Sequence, residues 1–481
     1  ALARRDLLMA GQVVSSDRLW FWFAVSSTVF VAILAISPVK DYRREYRTYQ
    51  ERYRGLLLET AGSAAEVRKA RSVAVAIRQI WIPAFEDRVD RCVTCHLGVE
   101  NPRMAEAPQP FRSHPATPHA PESFQRFGCV ACHRGQGRAT SLAEAHGDAP
   151  DWESPLLPRE FTEASCGRCH PGDAVPEASL LSEGRALVRR AGCFGCHKVN
   201  GIDDWSSDAP DLNGLSLKTS PEWLRAWLRA PHDLQPNTLM PDFALSEAEI
   251  EALVAFLWAQ PPSPSQILGP ADEAALPGDP GRGRTLFGES RCVSCHTIEG
   301  RGNGSAPDVA AVGSKVGRRW LMAYLRDPHA FQPRTPMPRY NFSRQDLIDL
   351  SSYIVSELTD PQVPAPGAPF RPPQKAVEEG GRLYRKYGCA GCHRIAGSDL
   401  PAEAGPELTG IGDKPVELLD FGARADLPRT LPAWLAAKVA DPRSFREGLK
   451  MPRFGFTDDQ VRAVVTALLS LGARPVPQAY R

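Results

Sequence analysis

The longest apolar run in the chain, Leu19 to Val39, contains no charged residue. Its 21 residues make a helix of roughly 31 Å, about the thickness of a bilayer's hydrocarbon core. Trp20 and Trp22 fall at one edge, where amphipathic rings collect at a lipid–water boundary. The run is long for a signal-peptide core, and AIS-PV is a poor cleavage site, so it predicts an uncleaved anchor over 19–39. Residues 41–80 then alternate charged and apolar positions without a proline. They predict one or two helices in a stalk over 41–84, either solvated or packed on a partner.

Further along, an amphipathic helical period recurs three times. The segments are LSEAEIEALVAFLWA, FSRQDLIDLSSYIVS and FTDDQVRAVVTALLS, each opening on a residue suited to an N-cap. Each follows a Trp-bearing helical stretch that ends in Met-Pro, and a turn of the type APDLNGL, APDVAAVG or GPELTGIG precedes that stretch. Each copy starts with Gly-Arg and a short apolar segment: GRALVRRAG, GRTLFGESR and GRLYRKYG. The period is close to 100 residues and predicts three small all-α domains over 177–262, 276–360 and 374–473. The linkers PPSPSQILGPADEAALPGDPG and DPQVPAPGAPFRPP are proline-rich and predict extended, fairly stiff spacers. The expected fold is mainly α throughout: a membrane helix, a loop-rich module over 85–176, and the three helical domains.

The 57 Lys and Arg nearly balance the 56 Asp and Glu, which argues against nucleic acid or another polyanion as a partner. The 12 cysteines change the picture most, because all of them fall in six copies of Cys-x-x-Cys-His. The copies are Cys92, Cys95 and His96; Cys129, Cys132 and His133; and Cys166, Cys169 and His170. The remaining three are Cys193, Cys196 and His197; Cys292, Cys295 and His296; and Cys389, Cys392 and His393. This is the attachment signature of c-type haem: two thiols bond one porphyrin and the adjacent imidazole reaches the iron. Structural zinc also uses Cys-x-x-Cys pairs, but it does not require a histidine after every second cysteine. Six covalently bound haem c groups follow, and no thiol remains for a disulfide or a nucleophile. Covalent haem attachment takes place outside the cytoplasmic membrane, so the haem-bearing part belongs in the periplasm. The positive-inside rule points the other way. Arg4, Arg5 and Arg18 precede the apolar run, whereas Lys40, Arg43, Arg44, Arg47, Arg52 and Arg54 follow it. Haem attachment takes precedence, and an acidic partner surface is expected to hold those arginines.

The first three motifs are spaced 37 residues apart, too tightly for separate domains. Three further histidines, His114, His119 and His146, lie among them, one for each iron, and predict a bis-histidine tri-haem cluster. Met104 is the competing thioether there. His232 and His329 occupy one register of the repeats where the third copy has Arg443, so they are expected at the surface.

The three repeats resemble class I cytochromes c. That resemblance implies a Met before the last helix as sixth iron ligand, here Met240, Met337 and Met451. It also implies a proline carbonyl that orients the ligand histidine, here Pro210, Pro307 and Pro406. The N-terminal third, with IWIPAFEDRVDRCVTCHLGVENP, FRSHP, FGCVACHRGQGRAT, EAHGDAPDWESPLL and CGRCHP, resembles membrane-anchored multi-haem cytochrome c subunits of bacterial quinol-oxidising complexes. It implies electron transfer from a membrane cytochrome b-type or other quinol-oxidising subunit, with an iron–sulfur subunit as a further candidate partner. A soluble cytochrome or terminal oxidase would be the acceptor. Thioether ligands raise the haem potential relative to paired imidazoles, so the expected gradient runs outward from the first cluster. No substrate chemistry is expected of the chain itself. The alternatives are a reductase or peroxidase with one open haem, or a donor cytochrome of a photosynthetic reaction centre.

Overall fold

The computed structural model describes residues 16–82, 88–119, 123–149, 152, 154–199, 209–236, 238–333, 335–393, 395 and 405–472. Arg4 and Arg5 lie outside the described residues. The fold is mainly helical, and the chain divides into two compact units, the second beginning at Arg159.

In the first unit the apolar run lies within the helix Ser16–Tyr42, which buries none of its residues. It is long and apolar enough to cross a membrane. Its hydroxyls are satisfied inside the helix, Thr28 Oγ1 donating to the Ala24 carbonyl and Ser37 Oγ to that of Ile33, both at 2.8 Å. That is what a lipid environment demands of polar groups.

The next helix, Glu45–Glu59, is not a stalk. Gln50 is fully buried, and its amide donates to the carbonyls of Ala76 (2.7 Å) and Thr94 (3.0 Å). Tyr53 packs with Met104 and Phe111 in one small core, so Met104 fills space in that core. Three of the arginines of this region make contacts within the chain. Arg44 pairs with Asp41, Arg47 lies over the Tyr42 and Tyr46 rings, and Arg54 donates to the Arg71 carbonyl. A short antiparallel ribbon follows, Ile80–Ile82 against Arg88–Asp90, and sets up the first motif.

In the second unit, the third attachment motif belongs to the 3₁₀ stretch Arg159–Arg168 and packs on the repeats. The expected module over 85–176 is therefore divided. Cys132, with the first two motifs, falls in the first unit, whereas Cys169, with the third, falls in the second. The physical reason is that the third motif has its own anchors among the repeats. Arg185 fixes it by donating to the carbonyls of His170, Gly167 and Gly172. Arg168 and Asp413 add a half-buried ion pair at 3.0 Å.

Each repeat supplies an opening helix, a Trp helix and a closing helix. The closing helices Glu247–Trp258, Arg344–Glu357 and Asp458–Leu469 each start with a complete capping box. Ser246, Ser343 and Thr457 are the caps, each worth about 1 kcal/mol. The Trp helices Pro221–Arg229 and Leu431–Ala440 are capped by Ser220 and Thr430, whereas Arg318–Arg326 follows Gly317 and has no side-chain cap.

The repeats differ in which opening helix meets which closing helix. In the second, Pro280–Glu289 crosses its own Arg344–Glu357. In the first and third the partners are exchanged. Ser179–Arg190 of the first crosses Asp458–Leu469 of the third, and Gln374–Lys386 of the third crosses Glu247–Trp258 of the first. A glycine sits at each crossing: Gly184 against the Ala463 carbonyl, Gly283 against that of Asp349, and Gly380 against that of Ala252. A Cβ at any of them would overlap the oxygen, so the helices meet backbone to backbone. Each crossing glycine stands nine residues before the first cysteine of its motif. In the third repeat that spacing selects Gly380 rather than the Gly381 of the Gly-Arg pair.

Candidate haem sites

All six motifs adopt the same local turn. The first cysteine opens a short helical turn in five of them and lies within Arg159–Arg168 in the third, and in all six its carbonyl accepts the amide of the motif histidine at 2.9–3.0 Å. The second cysteine bonds back to the same carbonyl, the Cys132 amide to Cys129 at 3.2 Å and the Cys169 amide to Cys166 at 3.1 Å. This brings both thiols and the imidazole to one side of the backbone. The residue before the turn is left-handed in four motifs: Gly128, Gly192, Arg291 and Gly388. The 12 cysteines form no disulfide among the described residues. Cys132 and Cys295 are exposed, and the others, Cys169 included, are half-buried.

Four of the motif imidazoles are hydrogen-bonded to a proline carbonyl. His296 Nδ1 donates to the Pro307 carbonyl at 2.7 Å, which leaves Nε2 with its lone pair for iron. His197 and His393 do the same, but to the exchanged repeat: His197 to Pro406 at 2.8 Å and His393 to Pro210 at 2.9 Å. The flanking backbone follows the same exchange. In the second repeat the Ala306 amide donates to the Cys295 carbonyl (2.8 Å) and that of Val309 to Thr297 (2.9 Å). In the exchanged repeats the Gly405 amide donates to Cys196 and that of Leu408 to Lys198, both at 2.9 Å. His96 is hydrogen-bonded to the Pro110 carbonyl. Burial holds the His197 and His393 imidazoles below their ordinary pKa, and so neutral. His96 is lowered by burial and by the neighbouring His146 and His133, and His133 by burial and His114.

Two pairs of motifs touch. In the first unit the fully buried Asp90 carboxylate accepts the amides of Cys92 (2.9 Å), Cys129 (2.6 Å) and Val130 (2.9 Å), tying both turns together. The Cys92 thiol is pushed up by its hydrogen bond with Cys129, by burial and by Asp90. Among the described residues Asp90, Cys92 and Cys129 form a cluster of metal-ligand type. Both carboxylate oxygens already accept N–H donors, however, so Asp90 serves to tie the two turns together. In the second unit the turns of Cys193 and Cys389 meet through Gly195 and Gly391, and Gly192 abuts Cys392 Sγ. Burial pushes the Cys193 and Cys389 thiols up to about 12.

Of the expected distal histidines, His114 lies 5.9 Å from His133 between ring centroids. Its Nδ1 donates to the Pro115 carbonyl at 2.8 Å, which makes Nε2 the nitrogen with the lone pair. His146 is close enough to His96 to depress it, and His119 packs on Phe127 at 5.3 Å. Met240 belongs to the core that contains Cys389 and Ala390, and Met337 to the core that contains Cys292. The Met451 segment pairs with the Met240 segment, Asp242 and Arg453 exchanging amide–carbonyl bonds of 2.8 and 3.1 Å. His232, expected at the surface, is half-buried, with its Nε2 3.2 Å from the Phe454 carbonyl. His329 is also half-buried, and its Nδ1 lacks a hydrogen-bond partner among the described residues. Sequence reasoning missed Asp90, although an Asp two residues before a turn is a recognisable cap, and it missed Arg185.

A helical fold that sets Cys-x-x-Cys-His in a turn, with the histidine fixed by a proline carbonyl, defines a c-type haem-binding protein. The cytochrome c family pattern matches residues 181–261, 281–357 and 377–472, more than half of the chain, and the chain belongs to that family. It is 32% identical to cytochrome c4 of Azotobacter vinelandii over 187 residues, 33% of this chain and 84% of that protein. It is 32% identical to cytochrome c oxidase subunit 2 of Alkalihalophilus pseudofirmus over 89 residues, 17% of this chain and 26% of the relative. It is 30% identical to a subunit of nitric oxide reductase from Halomonas halodenitrificans over 87 residues, 16% of this chain and 57% of the relative. The chain thus spans about a quarter of the oxidase subunit and over half of the reductase subunit. No solved structure matches it. The protein is a multi-haem c-type cytochrome of electron transfer.

Proposed function

We propose that the chain is a hexahaem relay in a membrane respiratory complex, anchored in the bacterial cytoplasmic membrane by residues 19–39 with its haem domains in the periplasm. The observation that carries the haem number is the shared turn: all six motifs bond the histidine amide to the first cysteine's carbonyl. Bound haem supplies a one-electron carrier whose potential follows its axial ligands. The chain's part is to hold and tune it. His96, His133, His170, His197, His296 and His393 are the proximal ligands. Met240, Met337 and Met451 supply thioethers that favour the reduced state. His114, His119 and His146 supply second imidazoles that favour the oxidised state, so the first three sites lie lower in potential. Electrons then run from a quinol-oxidising membrane subunit, with or without an iron–sulfur subunit, toward a soluble cytochrome or a terminal oxidase. Two relatives named as subunits of an oxidase and a nitric oxide reductase support a respiratory setting.

Purification from native membranes is the test. A haem b membrane subunit should accompany the chain, and total haem c should reach six per chain. Carbon monoxide added to the reduced protein should leave the Soret band unmoved. A shifted band would show an open iron and would favour a haem reductase instead.

A further inference from the structure

We infer that the first and third repeats are not two haem domains in tandem but two composite sites, each built from both repeats. The haem attached at Cys193, Cys196 and His197 takes Met451 as its sixth ligand, and the haem attached at Cys389, Cys392 and His393 takes Met240. The ligand part rests on the His/Met reading above; the exchange of halves does not.

Four independent observations agree. The helix crossings are exchanged, Gly184 on Ala463 and Gly380 on Ala252. The histidine–proline bonds are exchanged, His197 to Pro406 and His393 to Pro210. Met240 shares its core with Leu383, Tyr384, Cys389 and Ala390 of the third repeat. The two Met-Pro loops are bridged through Asp242 and Arg453, flanked by His232 on the Phe454 carbonyl and Arg443 on that of Asp242. His232 and Arg443 share a register, and each reaches into the opposite repeat.

The topology is nested. The first repeat's opening half and the third repeat's closing half enclose a second composite site, and the self-contained second repeat is inserted within that one. Neither composite site closes without the other, and their attachment turns touch at Gly195 and Gly391. Among the repeats the close haem pair is therefore the fourth and sixth motifs, and the order of electron exchange there departs from chain order.

Zero-length carbodiimide cross-linking of the full-length monomer tests the exchange. Lys386 Nζ lies 3.0 Å from Glu249 Oε1, whereas the third repeat's own closing helix has Gln460 in the register of Glu249. A Lys386–Glu249 peptide formed within single chains, shown by mixing isotope-labelled and unlabelled protein, is expected. Its absence, or its formation only between chains, overturns the exchange. The ligands are read from the far-red thioether-to-iron band of the oxidised protein. In a chain with Cys389→Ala and Cys392→Ala, that band should fall by about a third. Adding Met240→Ala should then lower it no further, whereas adding Met451→Ala should remove about another third. The reverse pattern overturns the ligand exchange. A Met240→Ala single variant with an undiminished band would instead sink the His/Met reading and leave the cross-link result standing.

Discussion

The second repeat and the interlocked pair are built from the same sequence pattern, yet one closes on itself and the other two do not. The closing helices differ at one decisive position. Where the second repeat has Asp349, the first and third have Ala252 and Ala463 in the same register. Asp349 is buried and accepts from the Asp279 amide (2.9 Å), the Gln345 amide (2.9 Å) and the Arg282 guanidinium. All three donors belong to its own repeat, and two of them come from the start of the opening helix. The second repeat thus carries a polar clasp that recognises its own first half. The other two have alanine facing the glycine at that position, and the pair formed by Gln374–Lys386 and Glu247–Trp258 is marked instead by Lys386 and Tyr387, which both donate to Glu249. Closure of a repeat on its own half is specified by the buried, hydrogen-bonded Asp349 carboxylate, which the other two repeats lack.

The largest way to break the comparison is at the crossings. Gly184→Leu places a side chain on the Ala463 carbonyl and should cost about 3 kcal/mol or more. Because the pair is one cooperative body, it should remove two of the three thioether-ligated haem signatures on heating. Gly283→Leu should remove one. Thermal unfolding followed at the far-red band separates the outcomes, and equal amplitudes would mean three independent domains.

Asp349→Ala should act only on the second repeat, by about 2–3 kcal/mol, since charged hydrogen bonds are lost and their donors stay behind. Burial alone would push the Asp349 carboxyl up. The Asp279 amide, Arg282 and Gln345 more than offset this and hold it below the ordinary carboxylate value. The unfolded chain therefore binds its proton first as pH falls. The contribution is complete above about pH 4 and is lost as pH drops through the lower folded value. Wild type and variant should converge in denaturant titrations at low pH. A constant difference would place the stabilisation elsewhere.

The sequence made much of this legible. Helix positions, caps and motif turns follow from periodicity and from single residues such as Ser246, Ser343 and Thr457, because these are local effects. The apolar helix Ser16–Tyr42 was legible for the same reason. The exchange was not, because repeats of similar sequence offer one another equivalent surfaces, and single-residue differences such as Asp349 against alanine, or Glu249 against Gln460, break the tie. The packing of Glu45–Glu59 was hidden as well. Its charged pattern suits a solvated helix, while the residues that dock it are polar or amphipathic: Gln50 and Tyr53. The even 37-residue spacing of the first three motifs suggested one module, yet Arg185 and Arg168 draw Cys169 and its turn onto the repeats. Asp90 was illegible because it binds two turns 37 residues apart, and such a bond leaves no periodic trace.

A smaller effect, opposite in sign, sits just before the motif turn. Gly192 and Gly388 have φ of 69° and 67°, whereas Arg291 is held at 53°. A side chain in the left-handed region costs roughly 1–2 kcal/mol, and glycine's extra freedom in the unfolded chain returns part of that. Arg291→Gly should therefore stabilise the second repeat by about 0.5–1 kcal/mol and leave the pair unchanged. Chemical denaturation resolves the shift, and destabilisation would mean that the Arg291 side chain makes a contact worth more than the strain.

An effect of similar size is expected where the second repeat meets the first. Lys218 lies 4.9 Å from the Trp320 ring centroid, and Lys315 lies 5.0 Å from that of Trp223, a reciprocal pair across the junction. Burial, reinforced by Lys315, pushes the Lys218 amine down to about 7. The folded protein releases that proton near neutrality, whereas the unfolded chain keeps it to about pH 10.4. Protonated Lys218 thus opposes folding below about pH 7, and stability should rise with pH between the two values. The rise should be modest, because the charged form also gains attraction to the Trp320 face, worth about 0.5–2 kcal/mol. Lys218→Met should flatten the rise and lift the melting temperature at pH 6 by roughly 2–4 °C, equivalent to about 1 kcal/mol. If the variant instead melts lower at pH 6 and matches wild type at pH 10, the ring attraction outweighs burial, and the junction is held by the cations rather than in spite of them.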